Sequence, residues 1–156
     1  MKLLWGLVGL AAVFGLGTIA HAASIEGGLT AREVAGVLQA KGYKAEVTTD
    51  DTGDLKVKSA ADEVNFTVFF YGCNHTPRCT SVTFQAGFHV EGGLPLDKVN
   101  AWNRDKRFLK TWLDKVNDPY IEMDVDAAHG FSAEALAENI DTWVSGIPEY
   151  KSYIGF

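Results

Sequence analysis

The chain has 156 residues, 47% of them hydrophobic and 22% charged, and its 14 Lys and Arg against 20 Asp and Glu leave a formal charge of −6. That length suits one domain with a real core. An acidic balance without a Lys/Arg stripe is a poor electrostatic match to nucleic acid or anionic lipid, so neither is expected as a partner.

Residues 1–22 read as an export signal. Lys2 supplies a positive start, Leu3 to Ile19 is an uncharged and mostly apolar run, and Ala20-His21-Ala22 is the small-x-small pattern that signal peptidase accepts. Cleavage is expected between Ala22 and Ala23. The run is near the lower length limit for crossing a bilayer and carries a single flanking cation, so a cleaved signal is expected rather than a retained anchor. The expected location is the bacterial periplasm or the exterior, with no stable membrane insertion after cleavage.

Residues 23–28 read as a short flexible leader, and 29–147 as the domain. Thr30 with Glu33 three residues on forms a capping box, and Leu29 and Val34 take the staple positions around it. This predicts a first helix that Gly42 stops. Tyr43, Ala45 and Val47 alternate with Lys44, Glu46 and Thr48 as in a half-buried strand. After a turn at residues 50–54, Leu55 and Val57 alternate with Lys56 and Lys58. Phe66, Val68 and Phe70 mark a third strand, and Val82, Phe84, Ala86 and Phe88 a fourth.

Between these last two lie Cys73 and Cys79, separated by the turn-rich Asn-His-Thr-Pro-Arg. An even cysteine count in an exported chain favours a structural disulfide closing this hairpin. A redox pair lacks the C-x-x-C spacing. Zinc held by Cys73, His75 and Cys79 would lack a fourth ligand.

A second helix is expected from Leu96 to Arg104. Phe108 to Val116 reads as a strand, with a helical alternative left open. Ile121, Met123 and Val125 alternate with Glu122, Asp124 and Asp126 in the last strand. The third helix starts at Ser132, and Leu136, Ile140, Trp143, Val144 and Ile147 form its core stripe. Pro148 ends or bends it. Residues 148–156 are expected to be an aromatic tail whose Tyr150, Tyr153 and Phe156 pack on the domain or offer an apolar contact to a partner. The order α-β-β-β-β-α-β-β-α predicts an α+β domain, an antiparallel sheet of about five to six strands with helices on one side.

Chemistry-bearing motifs are sparse. Asp51-Thr52-Gly53 matches the aspartic-protease tripeptide but sits in a charged turn without apolar flanks. Glu122, Asp124 and Asp126 share one strand face and, with nearby histidines, are the alternative for an enzyme or metal protein. The expectation is no catalytic residue, no metal and no cofactor.

The run Val99-Asn100-Ala101-Trp102-Asn103-Arg104-Asp105-Lys106-Arg107-Phe108, followed by Tyr120-Ile121-Glu122-Met123-Asp124-Val125, resembles the signature of YbjN-like domains. Gly130-Phe131-Ser132 before the last helix fits the same pattern. These domains are labelled bacterial sensory transduction regulators. The resemblance implies a fold similar to the type III secretion chaperones and a non-catalytic module that binds a protein or peptide and tends to form homodimers. It implies no catalytic residues. Asn100, Trp102, Asn103, Arg104, Arg107 and Phe108 are its motif residues. Read structurally, Trp102 and Phe108 would be core anchors, Asn103 a left-handed helix cap, and Asn100 a partner for nearby backbone.

Overall fold

Thr30 opens α1 (Ala31–Ala40) as its neighbours require. Its hydroxyl accepts from the Glu33 N–H, while the Glu33 carboxylate accepts from the Thr30 N–H, so two orphan helix donors are satisfied reciprocally. Arg78 donates to the same carboxylate at 2.6 Å. Burial works against the charge on Glu33, but these bonds outweigh it and hold its carboxyl below the ordinary value. The computed structural model describes residues 24–25, 27–74 and 76–156. The expected signal, the Ala22/Ala23 junction and His75 lie outside the described residues.

The main sheet has six antiparallel strands: β2 (Ala45–Thr49), β3 (Leu55–Ala61), β4 (Val64–Tyr71), β5 (Ser81–Gly87), β6 (Lys110–Leu113) and β7 (Pro119–Asp126). Their order across the sheet is β2-β3-β4-β5-β7-β6. The chain leaves β5, passes through α2 (Leu96–Asp105), lays down β6 at the far edge and returns as β7 between them. With α3 (Ala133–Ile154), the expected order and the α+β class are both present.

The period-2 pattern decides which face is inside. Val57, Phe66, Val68, Phe84, Ile121 and Met123 are buried, and Trp143 of α3 packs on Phe66 and Phe84 with ring centroids 5.7 and 5.8 Å away. The opposite face carries Lys58, Thr67, Gln85, Glu122 and Lys110 in one register row.

Three expectations are corrected. The leader is tied down: β1 (Ser24–Ile25) pairs with β8 (Phe131–Ser132), and Leu29 and Cys79 exchange backbone hydrogen bonds at 2.9 Å. Second, the Phe108–Val116 strand is only Lys110–Leu113. The Asp114 carboxylate accepts from the N–H groups of Val116 and Asp118 and turns the chain, with Asn117 at φ +66°. Third, residues 148–156 do pack on the domain, but residues 148–154 do so as a continuation of the last helix rather than as a separate tail. α3 continues through Pro148 to Ile154 because Tyr150 and Ile154 are buried, and packing outweighs the single backbone bond a proline removes.

Cys73 and Cys79 are bonded across the β4–β5 connection. Closing so short a loop contributes about 2 kcal/mol. Replacing both residues with serine is expected to lower stability by about 1–3 kcal/mol in urea unfolding, and the native thiols to resist alkylation until reduced. Among the described residues no helix is long and apolar enough to cross a membrane.

Candidate functional site

The family-like motif occupies the corner where α2 meets β6, and its residues divide sharply between inside and outside. Trp102 faces inward from α2, 2% exposed, and its indole N–H donates to the Leu109 carbonyl at 2.7 Å. Its ring meets Tyr150 edge-on at 4.7 Å and Tyr153 at 5.2 Å. Leu109 is buried against Gly146 of α3, where a Cβ would stand 2.5 Å from a Leu109 methyl. Glycine in mid-helix is therefore what admits the β6 corner.

Asn103 is not the expected left-handed cap. It lies within α2, and its amide donates to the Thr111 carbonyl at 3.0 Å while its side-chain oxygen accepts from the Thr111 N–H at 2.8 Å. One side chain thus imitates one residue of a seventh strand along the β6 edge. Replacing Asn103 with alanine is expected to hand both groups to water, at a cost of about 0.5–1.5 kcal/mol measured by urea unfolding, because Asn103 is exposed at the sheet edge.

The Thr111 hydroxyl, buried below, donates to the Tyr120 carbonyl at 2.7 Å and accepts from the Tyr150 hydroxyl at 2.5 Å. Burial pushes the Tyr150 phenol up to about 12, the Thr111 contact opposing only part of that shift, so it stays a proton donor.

Phe108, expected in the core, is 58% exposed. The preceding anchors use the available interior, so the chain between Trp102 and Leu109 bulges outward and carries Arg107 and Phe108 at its tip. The Arg107 guanidinium lies 5.0 Å from the Phe108 ring centroid. A cleft of about 250 Å³ on one side is lined by Trp102, Leu109, Gly146 and Glu149, and one of about 280 Å³ on the other by Asn103, Lys110, Glu122 and Asp124. Neighbouring cations are engaged: Lys106 with Glu149 at 2.5 Å, Arg104 with Asp105 at 2.8 Å, and Lys110 with Asp124 and Glu122 at 2.8 and 3.2 Å. Arg107 pairs with no carboxylate among the described residues. Asn100 is exposed on α2.

The acidic face of β7 is internally compensated. Asp124 accepts from Lys110 and Thr83, and those bonds hold its carboxyl below the ordinary value. Glu122 accepts from Gln85, and Asp126 from the Ala128 N–H. Among the described residues no group of three His, Cys, Asp or Glu is placed to hold a metal ion. His89 is exposed and bonded to Asp118, which raises its imidazole pKa, and His129 is exposed. Asp51-Thr52-Gly53 forms a turn in which the Asp50 carboxylate accepts from the N–H groups of Thr52 and Asp54.

Sequence reasoning singled out this motif but missed three partners that complete it: Thr111, Gly146 and Tyr150. Only Tyr150 left a signal, since it falls one helical turn beyond the stripe ending at Ile147. No curated protein matches the chain at significant similarity. The YbjN family, described as "Putative bacterial sensory transduction regulator", matches residues 30–156. That span runs from the cap of α1 to the last residue and includes the α2–β6 corner with every anchor named above, and the chain belongs to the YbjN family.

Proposed function

We propose that this chain is an exported, non-catalytic regulatory module, chaperone-like in architecture, that binds a protein or peptide through the Arg107–Phe108 tip. The observation that carries the reading is the division of labour within one short motif. Trp102 and Leu109 make the buried contacts and Asn103 bonds the β6 edge from the surface, and their effect is to hold an exposed aromatic ring and a cation that has no carboxylate partner among the described residues at a fixed place between two clefts. Arginine and aromatic residues are the types that most often dominate protein interfaces, and preorganisation lowers the entropic cost of docking. The reading of residues 1–22 as a cleaved signal supports the exported location.

The test uses the mature chain, whose intact mass is expected to begin at Ala23, as bait in periplasmic extract. Changing Arg107→Ala and Phe108→Ala together should abolish capture of the partner while leaving thermal unfolding unchanged, because both side chains are largely exposed. Undiminished capture by that double variant would move the binding surface elsewhere.

A further inference from the structure

One end of the β4–β5 ladder is left unmade. The β3–β4 turn is Asp62-Glu63, both at positive φ, and it pairs Ala61 with Val64. Alternation from there points the N–H and C=O of Asn65 and Thr67 at β5. Just past β5 the Phe88 N–H donates to the Pro119 carbonyl of β7 at 2.9 Å. The N–H and C=O of Gly87, and of Gln85 before it, therefore point back at β4. Thr67 and Gln85 pair as this requires, yet the register stops there, although β4 begins at Val64 and β5 ends at Gly87. Asn65 and Gly87 face one another across a gap without forming their pair.

A cleft of about 380 Å³ opens at this gap on the solvent face of the sheet, lined by Asn65, Thr67, Gly87, Tyr120 and the His89–Asp118 pair. That volume falls among those of small-molecule sites, roughly 300–1,000 Å³. Its floor is bare backbone. A Cβ at Gly87 would stand 2.6 Å from the Tyr120 ring, which leans across the place a side chain would fill. Trp112 stacks on that ring from the β6 side, with centroids 4.5 Å apart and planes at 12°, and holds it there. The cross-strand pairs before and after Gly87–Tyr120 are bonded to each other, Gln85 to Glu122 at 2.6 Å and His89 to Asp118 at 2.9 Å. The Asn65 side chain is exposed at the rim.

We propose that this cleft binds a neutral sugar ring, a pyranose unit of a glycan, with its hydroxyls in the gap and its C–H face against the Tyr120 ring. The groups that line it select this chemistry. Each side of the gap offers an N–H beside a C=O, and a hydroxyl both donates and accepts, so neighbouring hydroxyls satisfy the two together. The ring hydrogens gain dispersion contacts on the aromatic wall. An anion would face the Asp118 carboxylate and the open backbone carbonyls. A cation would face the open N–H groups, and both Asp118 oxygens are already taken, by His89 and by the Val90 N–H. An apolar chain would leave these polar groups without partners. An added peptide strand would find room for only one paired residue, since the Thr67–Gln85 pair closes one end and the β3–β4 turn follows Val64 at the other. The site is separate from the Arg107–Phe108 tip, which borders other clefts.

Titration of the isotope-labelled mature chain, its Cys73–Cys79 bridge intact, with glucose, mannose, galactose and N-acetylglucosamine tests this by backbone amide NMR. At least one sugar should bind saturably and shift the N–H signals of Asn65 and Gly87 most. Gly87→Ala puts a methyl on the cleft floor and displaces the Tyr120 ring, and should abolish binding. Asn65→Ala should weaken it about tenfold, the loss of roughly one hydrogen bond, with thermal unfolding unchanged. If Gly87→Ala fails to fold, Asn65→Ala and the shift map decide. No saturable binding by any of these sugars, shifts centred elsewhere, or binding that a folded Gly87→Ala or Asn65→Ala variant leaves unchanged would each overturn the proposal. So would sorbitol, which has no ring face, or inorganic phosphate binding as tightly as the best sugar. The Arg107→Ala, Phe108→Ala double variant should bind the sugar as wild type does, so failure of the partner reading and failure of this one remain distinguishable.

Discussion

Replacing Trp102 with alanine is expected to destabilise the domain by about 3–5 kcal/mol, the usual cost of removing a large buried aromatic ring. The indole joins four elements: it belongs to α2, donates to the carbonyl just before β6, and packs its ring on Tyr150 and Tyr153 of α3, which in turn reaches Phe88 beyond β5. Truncation therefore leaves both a cavity and an unpaired buried carbonyl at Leu109. Domains hold only about 5–15 kcal/mol in total, so the loss takes a large share of the stability. Trp102→Phe keeps most of the ring and loses the hydrogen bond, and should cost about 1–3 kcal/mol. Urea unfolding of the pair measures both. A Trp102→Ala variant within about 1 kcal/mol of wild type would contradict the role assigned here.

Ending the chain after Ile147 should prevent stable folding. The lost segment is the last part of α3, and it contains Tyr150 and Ile154, both buried, together with the Tyr153 and Phe156 rings. Burial of each large apolar side chain is worth about 1.5–3 kcal/mol. The Thr111 hydroxyl would also lose the Tyr150 hydroxyl that donates to it. The combined loss exceeds about 5 kcal/mol, comparable to the whole stability of a small domain. The expected result is a chain without a near-UV circular dichroism signal and rapidly degraded by protease. Were residues 148–156 a dispensable tail, the shortened chain would instead keep its melting temperature within a few degrees.

Several elements were legible because short-range physics specifies them. The Thr30–Glu33 box, the Phe66/Val68/Phe70 and Val82/Phe84/Ala86 alternations, and the Leu136–Ile147 stripe each depend on residues within a turn or a strand. The cysteine pair was legible for the same reason, since six positions separate its members. Membership of the YbjN family was also carried by a contiguous run. The α+β class followed from the order of these pieces.

The tertiary structure decided what depends on distant partners. Val47 and Leu55 obey the alternation of a half-buried strand yet stay 40% exposed, because their strands lie toward the sheet edge, where less is packed over them. Asn103 has the composition of a helix cap, but a backbone segment eight residues on offers its amide both a donor and an acceptor. Phe108 is apolar enough for a core already filled by Trp102, Leu109 and Tyr150. Pro148 signals a stop that the burial of Tyr150 and Ile154 overrides. By itself the sequence determined the local elements, the fold class and the family. The three-dimensional packing alone decided which strands lie at the sheet edges, which aromatic faces solvent and where the last helix ends, because each is a competition between a weak local preference and contacts made far along the chain.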